Sequence, residues 1–61
     1  MTDGEPAERG ANAVCDYSGV CNPDDFNIAD FITDLAHFCD RERHNIRAII
    51  RRAIRNWEQE R

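Results

Sequence analysis

Apolar residues recur at intervals of three and four between Asn22 and Cys39, and this spacing predicts an amphipathic helix. Asn22 can cap the first turn, and Pro23 has the fixed φ of a first helical position. Asp24 and Asp25 place negative charge at the positive end of the helix dipole. We therefore predict a helix over residues 23 to about 41 with one buried stripe. The stripe consists of Ile28, Phe31, Ile32, Leu35, Phe38 and Cys39.

A second apolar stripe with the same spacing predicts a helix over residues 45–60, and Asn45 can cap it. Glu42 and Arg43 occupy positions where one continuous stripe would require apolar side chains. This interruption favours a helical hairpin. A single unbroken helix from residue 23 to about residue 60 is the alternative, and it would need a partner chain to cover its apolar side. The second stripe consists of Ile46, Ile49, Ile50, Ala53, Ile54 and Trp57.

The N-terminal third of the sequence carries no comparable pattern. Residues 1–13 are mostly polar, contain two glycines and a proline, and predict a mobile tail. A turn is expected at Ser18 and Gly19, from which Tyr17 and its apolar neighbours Val14 and Val20 can fold back onto the first helix. The predicted organisation is all-α: a flexible tail and turn segment over residues 1–21, then a small helical hairpin over residues 22–61.

The length of 61 residues allows one domain, and about 40 folded residues form a marginal core. Self-association, or a partner that covers the apolar stripes, is therefore expected. The sequence contains no apolar run of the roughly 18 residues needed to span a bilayer and no export signal. Three cysteines without such a signal indicate reduced thiols, so we expect a cytoplasmic protein without a membrane partner.

Charge is distributed unevenly along the chain. Residues 1–40 contain nine acidic residues and one arginine, whereas residues 41–61 contain seven arginines and three glutamates, for a net charge of −4. In a hairpin, Asp30 and Asp34 are expected to face Arg47 and Arg51. Exposed ion pairs of this kind contribute roughly 0 to 1 kcal/mol each.

Catalytic and metal chemistry have little support in the sequence. Asp30, Asp34 and His37 share a helix face, but a chain of this size has no room for a pocket that excludes water. Cys15 and Cys21 are separated by five residues, more than the two to four usual at structural zinc sites. We predict a non-enzymatic protein without a cofactor or metal. A zinc site and a disulfide between these two cysteines remain less favoured alternatives, and Cys39 is predicted to be a buried thiol on the apolar stripe.

Two binding functions compete. The arginines of the second helix recur every four residues and could contact phosphates, which would make the protein a small nucleic-acid-binding regulator. These residues are Arg43, Arg47, Arg51, Arg52 and Arg55. The overall acidity opposes that interpretation. We favour protein–protein binding, in which carboxylates meet a basic groove of a target and an aromatic residue anchors the contact. The predicted partner-binding residues are Asp24, Asp25, Asp30, Asp34 and Trp57.

The run FITDLAHFCD, followed by RRAIRNWEQE, resembles small uncharacterised helical proteins of bacterial phages and plasmids. In those proteins an Asp-Leu-x-His core precedes a second helix that ends in an aromatic residue and acidic residues. The resemblance covers roughly residues 26–60, and the glycine that such proteins carry between the helices is absent here. It implies a non-enzymatic accessory role, such as an inhibitor of a host defence component, and it assigns no functional residue.

Overall fold

The computed structural model describes residues 5–61, which form three helices and no strand. The helices are α1 (Glu5–Ser18), α2 (Asp25–Glu42) and α3 (Ile46–Glu60). The predicted all-α class is confirmed for residues 5–61, but this part of the chain forms three helices where the sequence predicted two. Helix α2 is central because it contacts both neighbours, whereas no Cα atom of α1 lies within 8 Å of one in α3.

Helix α1 corrects the predicted flexible tail. A mobile tail was predicted for residues 1–13 and a tail and turn segment for residues 1–21 as a whole, but residues 5–18 are helical. Residues 1–4 lie outside the described residues. The first turn carries Glu5 and Glu8, whose charges suit the helix dipole, and Glu5 pairs with Arg9 one turn later at 3.5 Å. The sequence pattern missed this helix because three of its six apolar residues are alanines, and because its proline and glycine resembled helix breakers.

The predicted turn at Ser18 and Gly19 is the end of α1. Gly19 has a φ of 71°, and its N–H donates to the carbonyl oxygen of Cys15 at 2.8 Å. This is the left-handed helix ending that glycine adopts without strain. The Ser18 hydroxyl donates to the Val14 carbonyl at 2.8 Å and accepts from the Val20 N–H at 3.2 Å, so the chain leaves the helix in a defined direction.

Helix α2 begins two residues later than predicted, because Asp24 and not Asn22 is its N-cap. The Asp24 carboxylate accepts from the Asn27 N–H at 3.0 Å, and the Asn27 side-chain oxygen accepts from the Asp24 N–H at 3.0 Å. This reciprocal arrangement is a capping box that satisfies two backbone donors at once. The predicted N-cap role of Asn22 is therefore wrong, and Pro23 precedes the cap.

The break between α2 and α3 lies at Arg43, which adopts a left-handed conformation with a φ of 63°. The Arg43 N–H donates to the Asp40 carbonyl at 3.3 Å, and the His44 N–H donates to the Cys39 carbonyl at 2.7 Å. These two bonds form a Schellman motif. Asn45 then caps α3 by accepting from the Ala48 N–H at 3.1 Å, as predicted. The alternative of one unbroken helix is therefore wrong.

Replacing Arg43 by glycine should stabilise the protein. A left-handed conformation strains a residue with a Cβ atom, and glycine at this position relieves that strain at a cost in unfolded-chain entropy, for a net gain of about 0.5 to 1 kcal/mol. Arg52→Gly, at an exposed position in the interior of α3, should instead destabilise by about 1 kcal/mol. Urea unfolding followed by circular dichroism measures both changes. A loss of stability in both variants would contradict the assignment of the turn.

Burial is sparse, and it departs from the predicted stripe. Cys39, 7% exposed, is the one buried side chain among residues 5–61, which confirms the prediction for this thiol. Phe31 is half-buried, whereas Ile32 and Leu35 are 41% and 40% exposed. The prediction that the whole stripe is buried is wrong, because α1 and α3 each cover only part of α2. The other exposed members of the stripe are Ile28 and Phe38.

The open packing is visible in the dimensions of the whole chain. Its radius of gyration is 12.7 Å, about the value for a compact domain of about 100 residues. Its accessible surface is 5492 Å², whereas a compact protein of the same mass exposes about 4,100 Å². Among residues 5–61, ten large hydrophobic residues are at least 40% exposed, so much of the apolar surface is available for contact with another molecule.

Candidate functional site

One side of α2 combines an exposed aromatic residue with two carboxylates. Phe26, Asp30 and Asp34 follow one another at intervals of four residues and therefore lie along one side of the helix. We call these three residues the acidic face. The Phe26 side chain is 76% exposed, the largest value among the exposed large hydrophobic residues. His37, three residues beyond Asp34, is also exposed.

Tyr17 of α1 closes one end of the acidic face. Its hydroxyl donates to the Asp34 carboxylate and lies 3.2 Å from the backbone oxygen of Asp30. Its ring packs against Phe31 with the centroids 5.0 Å apart and the planes tilted by 35°. Tyr17 therefore folds back onto this helix, as its position in the sequence suggested. The contact fixes α1 against α2 and leaves Asp30 as the freer of the two carboxylates.

The environment of the Tyr17 hydroxyl raises its pKa from 10.0 to about 12. The main cause is the hydrogen bond to the Asp34 carboxylate, and partial desolvation adds to it. The negative charges of Asp34 and Asp30 act in the same direction, because ionisation would place a phenolate beside them. The neutral phenol is therefore the form that holds the two helices together.

This pKa predicts a loss of stability at high pH. A group whose pKa is raised by folding contributes stability that is complete below its unfolded value, near 10, and is lost as the pH rises through about 12. Thermal unfolding between pH 8 and 12 should therefore show a falling midpoint. Tyr17→Phe should be less stable at pH 8 and should lose less of its stability over the same range. Equal slopes for the two proteins would contradict the role of this hydroxyl.

The predicted ion pairs between α2 and the arginines of α3 do not form. Within residues 5–61 the ion pairs are Glu5 with Arg9 and Arg41 with its neighbour Glu42, the latter at 3.0 Å. Asp34 instead accepts from Tyr17, so its carboxylate is directed towards α1. The prediction was wrong because it assumed that the second and third helices are the only packed pair. The arginines left without an ion pair in this region include Arg43, Arg47, Arg51, Arg52 and Arg55.

The structure divides the predicted partner-binding residues among three places. Asp30 and Asp34 belong to the acidic face, whereas Asp24 is committed to the helix cap. Asp25 is exposed in the first turn of α2. Trp57, 58% exposed, lies on α3 with the Arg61 guanidinium 4.7 Å from its ring. Sequence reasoning missed Phe26 because it lies off the apolar stripe, although an aromatic residue outside the stripe was itself a signal.

The two N-terminal thiols border a groove between α1 and the start of α2. Cys15 and Cys21 are free, and the Cys15 Sγ lies 3.5 Å from the Cys21 carbonyl oxygen. The groove has a volume of about 540 Å³. We call it the α1–α2 groove, and it is lined by Ala7, Gly10, Ala11, Val14, Cys15, Cys21, Asn22, Pro23 and Ile28. No three histidine, cysteine, aspartate or glutamate residues in the described region are grouped as metal ligands.

Comparison with known proteins gives no family for this arrangement of helices. No protein-family model matches the chain, and no curated protein or solved structure is significantly similar to it. Among residues 5–61, none of the helices combines the length and the apolar character needed to cross a bilayer. The acidic face and the uncovered apolar residues are therefore the features on which a function can be based.

Proposed function

We propose that this chain acts by binding another protein through the acidic face of α2. The observation that carries the proposal is the exposure of Phe26, 76%, on the same side of the helix as Asp30. Asp30 forms no ion pair within residues 5–61. An exposed aromatic residue beside an unpaired carboxylate offers a partner both an anchor and a charge.

The target that fits this face is a protein with a basic groove and an apolar socket. Arginines or lysines of the target would meet Asp30 and the outer edge of Asp34, and Phe26 would enter the socket. A groove of this kind commonly binds nucleic acid, so occupying it would inhibit the target. Such blocking requires no catalysis by this chain, and it agrees with an accessory role in which a phage or mobile-element protein inhibits a host defence component.

Capture from a cell lysate with matched variants tests the proposal. Phe26→Ala should reduce retention of the target at least about tenfold, since loss of an aromatic anchor commonly costs 2 kcal/mol or more. Asp30→Lys should also weaken retention, by placing like charges opposite each other. Asp34 is a poor site for this test, because its reversal would also break the contact with Tyr17. Heparin, a polyanion, should release the captured target.

Two controls separate this result from unfolding and from net charge. Asp40→Lys changes the charge of α2 by the same amount at an exposed position ten residues from Asp30, and it should retain the target. Asn56→Ala on exposed α3 should also bind normally. A target retained equally by Phe26→Ala and the native protein would refute the proposed contact. If Asp40→Lys and Asp30→Lys lose the target equally, the loss is caused by the change in net charge and not by a contact at Asp30.

A second candidate function is nucleic-acid binding by α3. The observation in its favour is the absence of ion pairs at the α3 arginines within the described residues. If these arginines contact phosphates, affinity for a random duplex should fall steeply as the salt concentration rises. Each phosphate contact that a mutation removes should reduce the slope of log affinity against log salt concentration by about one. Arg52→Glu with Arg55→Glu should then abolish binding, while Asp30→Lys should strengthen it. Weak duplex binding by the native chain, the arginine double variant and Asp30→Lys alike would exclude this function.

A further inference from the structure

Helix α3 has an apolar side that residues 5–61 leave partly uncovered. Ile49, Ile54 and Trp57 are 44%, 49% and 58% exposed, and Ile46 and Ile50 are half-buried. The neighbouring arginines include Arg47 and Arg51, which line a groove of about 340 Å³ together with Ile46 and Ile50. Helix α3 is therefore a basic amphipathic helix with part of its apolar side free.

The α1–α2 groove has the complementary character. Its lining is mostly apolar and contains no basic residue. Glu8 lies beside the groove residue Ala7 and one turn before Ala11, and Asp25 lies one turn before Ile28. Arg9, the one basic residue of α1, already pairs with Glu5. The groove is thus an apolar channel with acidic flanks, the surroundings that a basic amphipathic helix requires.

Within one chain, α3 meets α1 only at its C-terminal end, where Trp57, Glu60 and Arg61 line a pocket with Pro6 and Ala7, and α3 does not lie in the groove. Only residues 43–45 separate α2 from α3, and their caps fix the direction in which α3 leaves. No Cα atom of α3 comes within 8 Å of α1. A second copy is free of this constraint. In a twofold arrangement, the α3 helix of each copy would enter the groove of the other, so that both contacts form together.

We propose that two copies of this chain form such a dimer, with α3 of each copy in the α1–α2 groove of the other. The surface area supports a contact of this size. The chain exposes 5492 Å². When the largest area that residues 1–4 could contribute is left out, the remaining residues still expose about 1,000 Å² more than a compact protein of their own mass. A stable interface buries about 800 Å² per partner. The acidic face lies outside this contact, so the dimer is independent of the target proposed above.

A charge exchange between copies tests the dimer. Arg47→Glu with Arg51→Glu makes the flank of α3 acidic, and Glu8→Arg with Asp25→Arg makes the groove basic. Each double variant alone places like charges in both contacts, so its dimer should dissociate at least about tenfold more readily than the native one. In an equimolar mixture both contacts again join opposite charges, and sedimentation should show a heterodimer of near-native affinity.

A matched control separates local contacts from net charge. Arg52→Glu with Arg55→Glu changes the net charge by the same amount, but neither residue lines the groove that Arg47 and Arg51 form with Ile46 and Ile50. This variant should dimerise like the native chain. A native chain that sediments as a monomer up to about 1 mM would overturn the dimer. An equimolar mixture that fails to associate would also overturn it. So would a control variant that dissociates as readily as the variant with Arg47→Glu and Arg51→Glu.

A second measurement does not depend on the charge variants. In a variant with Cys15→Ser and Cys21→Ser, the change Asn12→Cys can carry a nitroxide label on an exposed position of α1 outside the groove lining, while Cys39 is buried. When labelled chains are mixed with unlabelled chains enriched in ¹⁵N, the label should broaden the amide signals of α3 in the unlabelled copy. Broadening confined to other helices, or none, would overturn the proposed arrangement. Neither result would affect the test of the acidic face.

Discussion

Replacing Phe31 by alanine should separate α1 from α2 and destabilise the protein by about 2 to 3 kcal/mol. Fully buried phenylalanines cost about 3 to 5 kcal/mol when truncated, and Phe31 is half-buried. Its ring contacts Tyr17, the residue that also reaches Asp34 by its hydroxyl, so the variant weakens the whole contact between the helices. The loss is a large fraction of the total stability of a domain of this size.

Thermal unfolding followed by circular dichroism measures this effect, and Phe26→Ala is its matched control. Both changes remove the same side chain from the same helix, but Phe26 is 76% exposed and should cost less than about 0.5 kcal/mol. The midpoint should fall by roughly 10 to 20 °C for Phe31→Ala and hardly change for Phe26→Ala. Similar midpoints for the two variants would show that α1 does not pack on this side of α2.

Replacing Cys39 by aspartate should strongly destabilise the protein at neutral pH. Cys39 is 7% exposed, and burying a carboxylate there without a partner costs several kcal/mol. The position is also near the C-terminus of α2, where the helix dipole opposes negative charge. Cys39→Ala removes only the thiol and should cost about 1 to 2 kcal/mol. We therefore expect Cys39→Asp to be largely unfolded where Cys39→Ala is folded.

The pH dependence identifies the cause of that loss. Protonation removes the charge of the introduced carboxylate, so the difference in midpoint between Cys39→Asp and Cys39→Ala should narrow as the pH falls towards about 4. Comparing the two variants at each pH cancels the effect of the native carboxylates. If the difference in midpoint between the two variants stays constant from pH 7 to pH 4, the loss of stability in Cys39→Asp is caused by the shape of the new side chain and not by its buried charge. Near-equal midpoints at pH 7 would show that this position is not enclosed.

The two surfaces assigned to this protein place its exposed apolar residues in different roles. Phe26 belongs to the acidic face and would contact a foreign target. Ile49, Ile54 and Trp57 belong to α3 and would be covered by a second copy. A dimer of this kind would carry two acidic faces. A target with a repeated basic surface would then bind with a gain in avidity, provided that both faces can reach it together.

The elements that local chemistry controls could be predicted from the sequence. The strong apolar period and the cap at Asn45 determined α3, and the period of α2 determined its length to within two residues at its start and one at its end. The predicted burial of Cys39 is confirmed, although the same prediction was wrong for Ile32 and Leu35 of that stripe. Helix α1 was missed because its residues are small and polar, so that it has no wide apolar stripe to detect. Its stability depends on a contact with α2 that lies outside its own sequence.

Tertiary structure alone decided which parts of each stripe are covered. Sequence period shows that Leu35 and Phe31 lie on the same side of α2, but it cannot show that Phe31 meets Tyr17 while Leu35 remains 40% exposed. It also could not show that Asp34 faces a tyrosine of α1 instead of an arginine of α3. The reason is geometric: periodicity defines the direction of a side chain around its own helix axis, whereas burial and pairing depend on where the neighbouring helices lie.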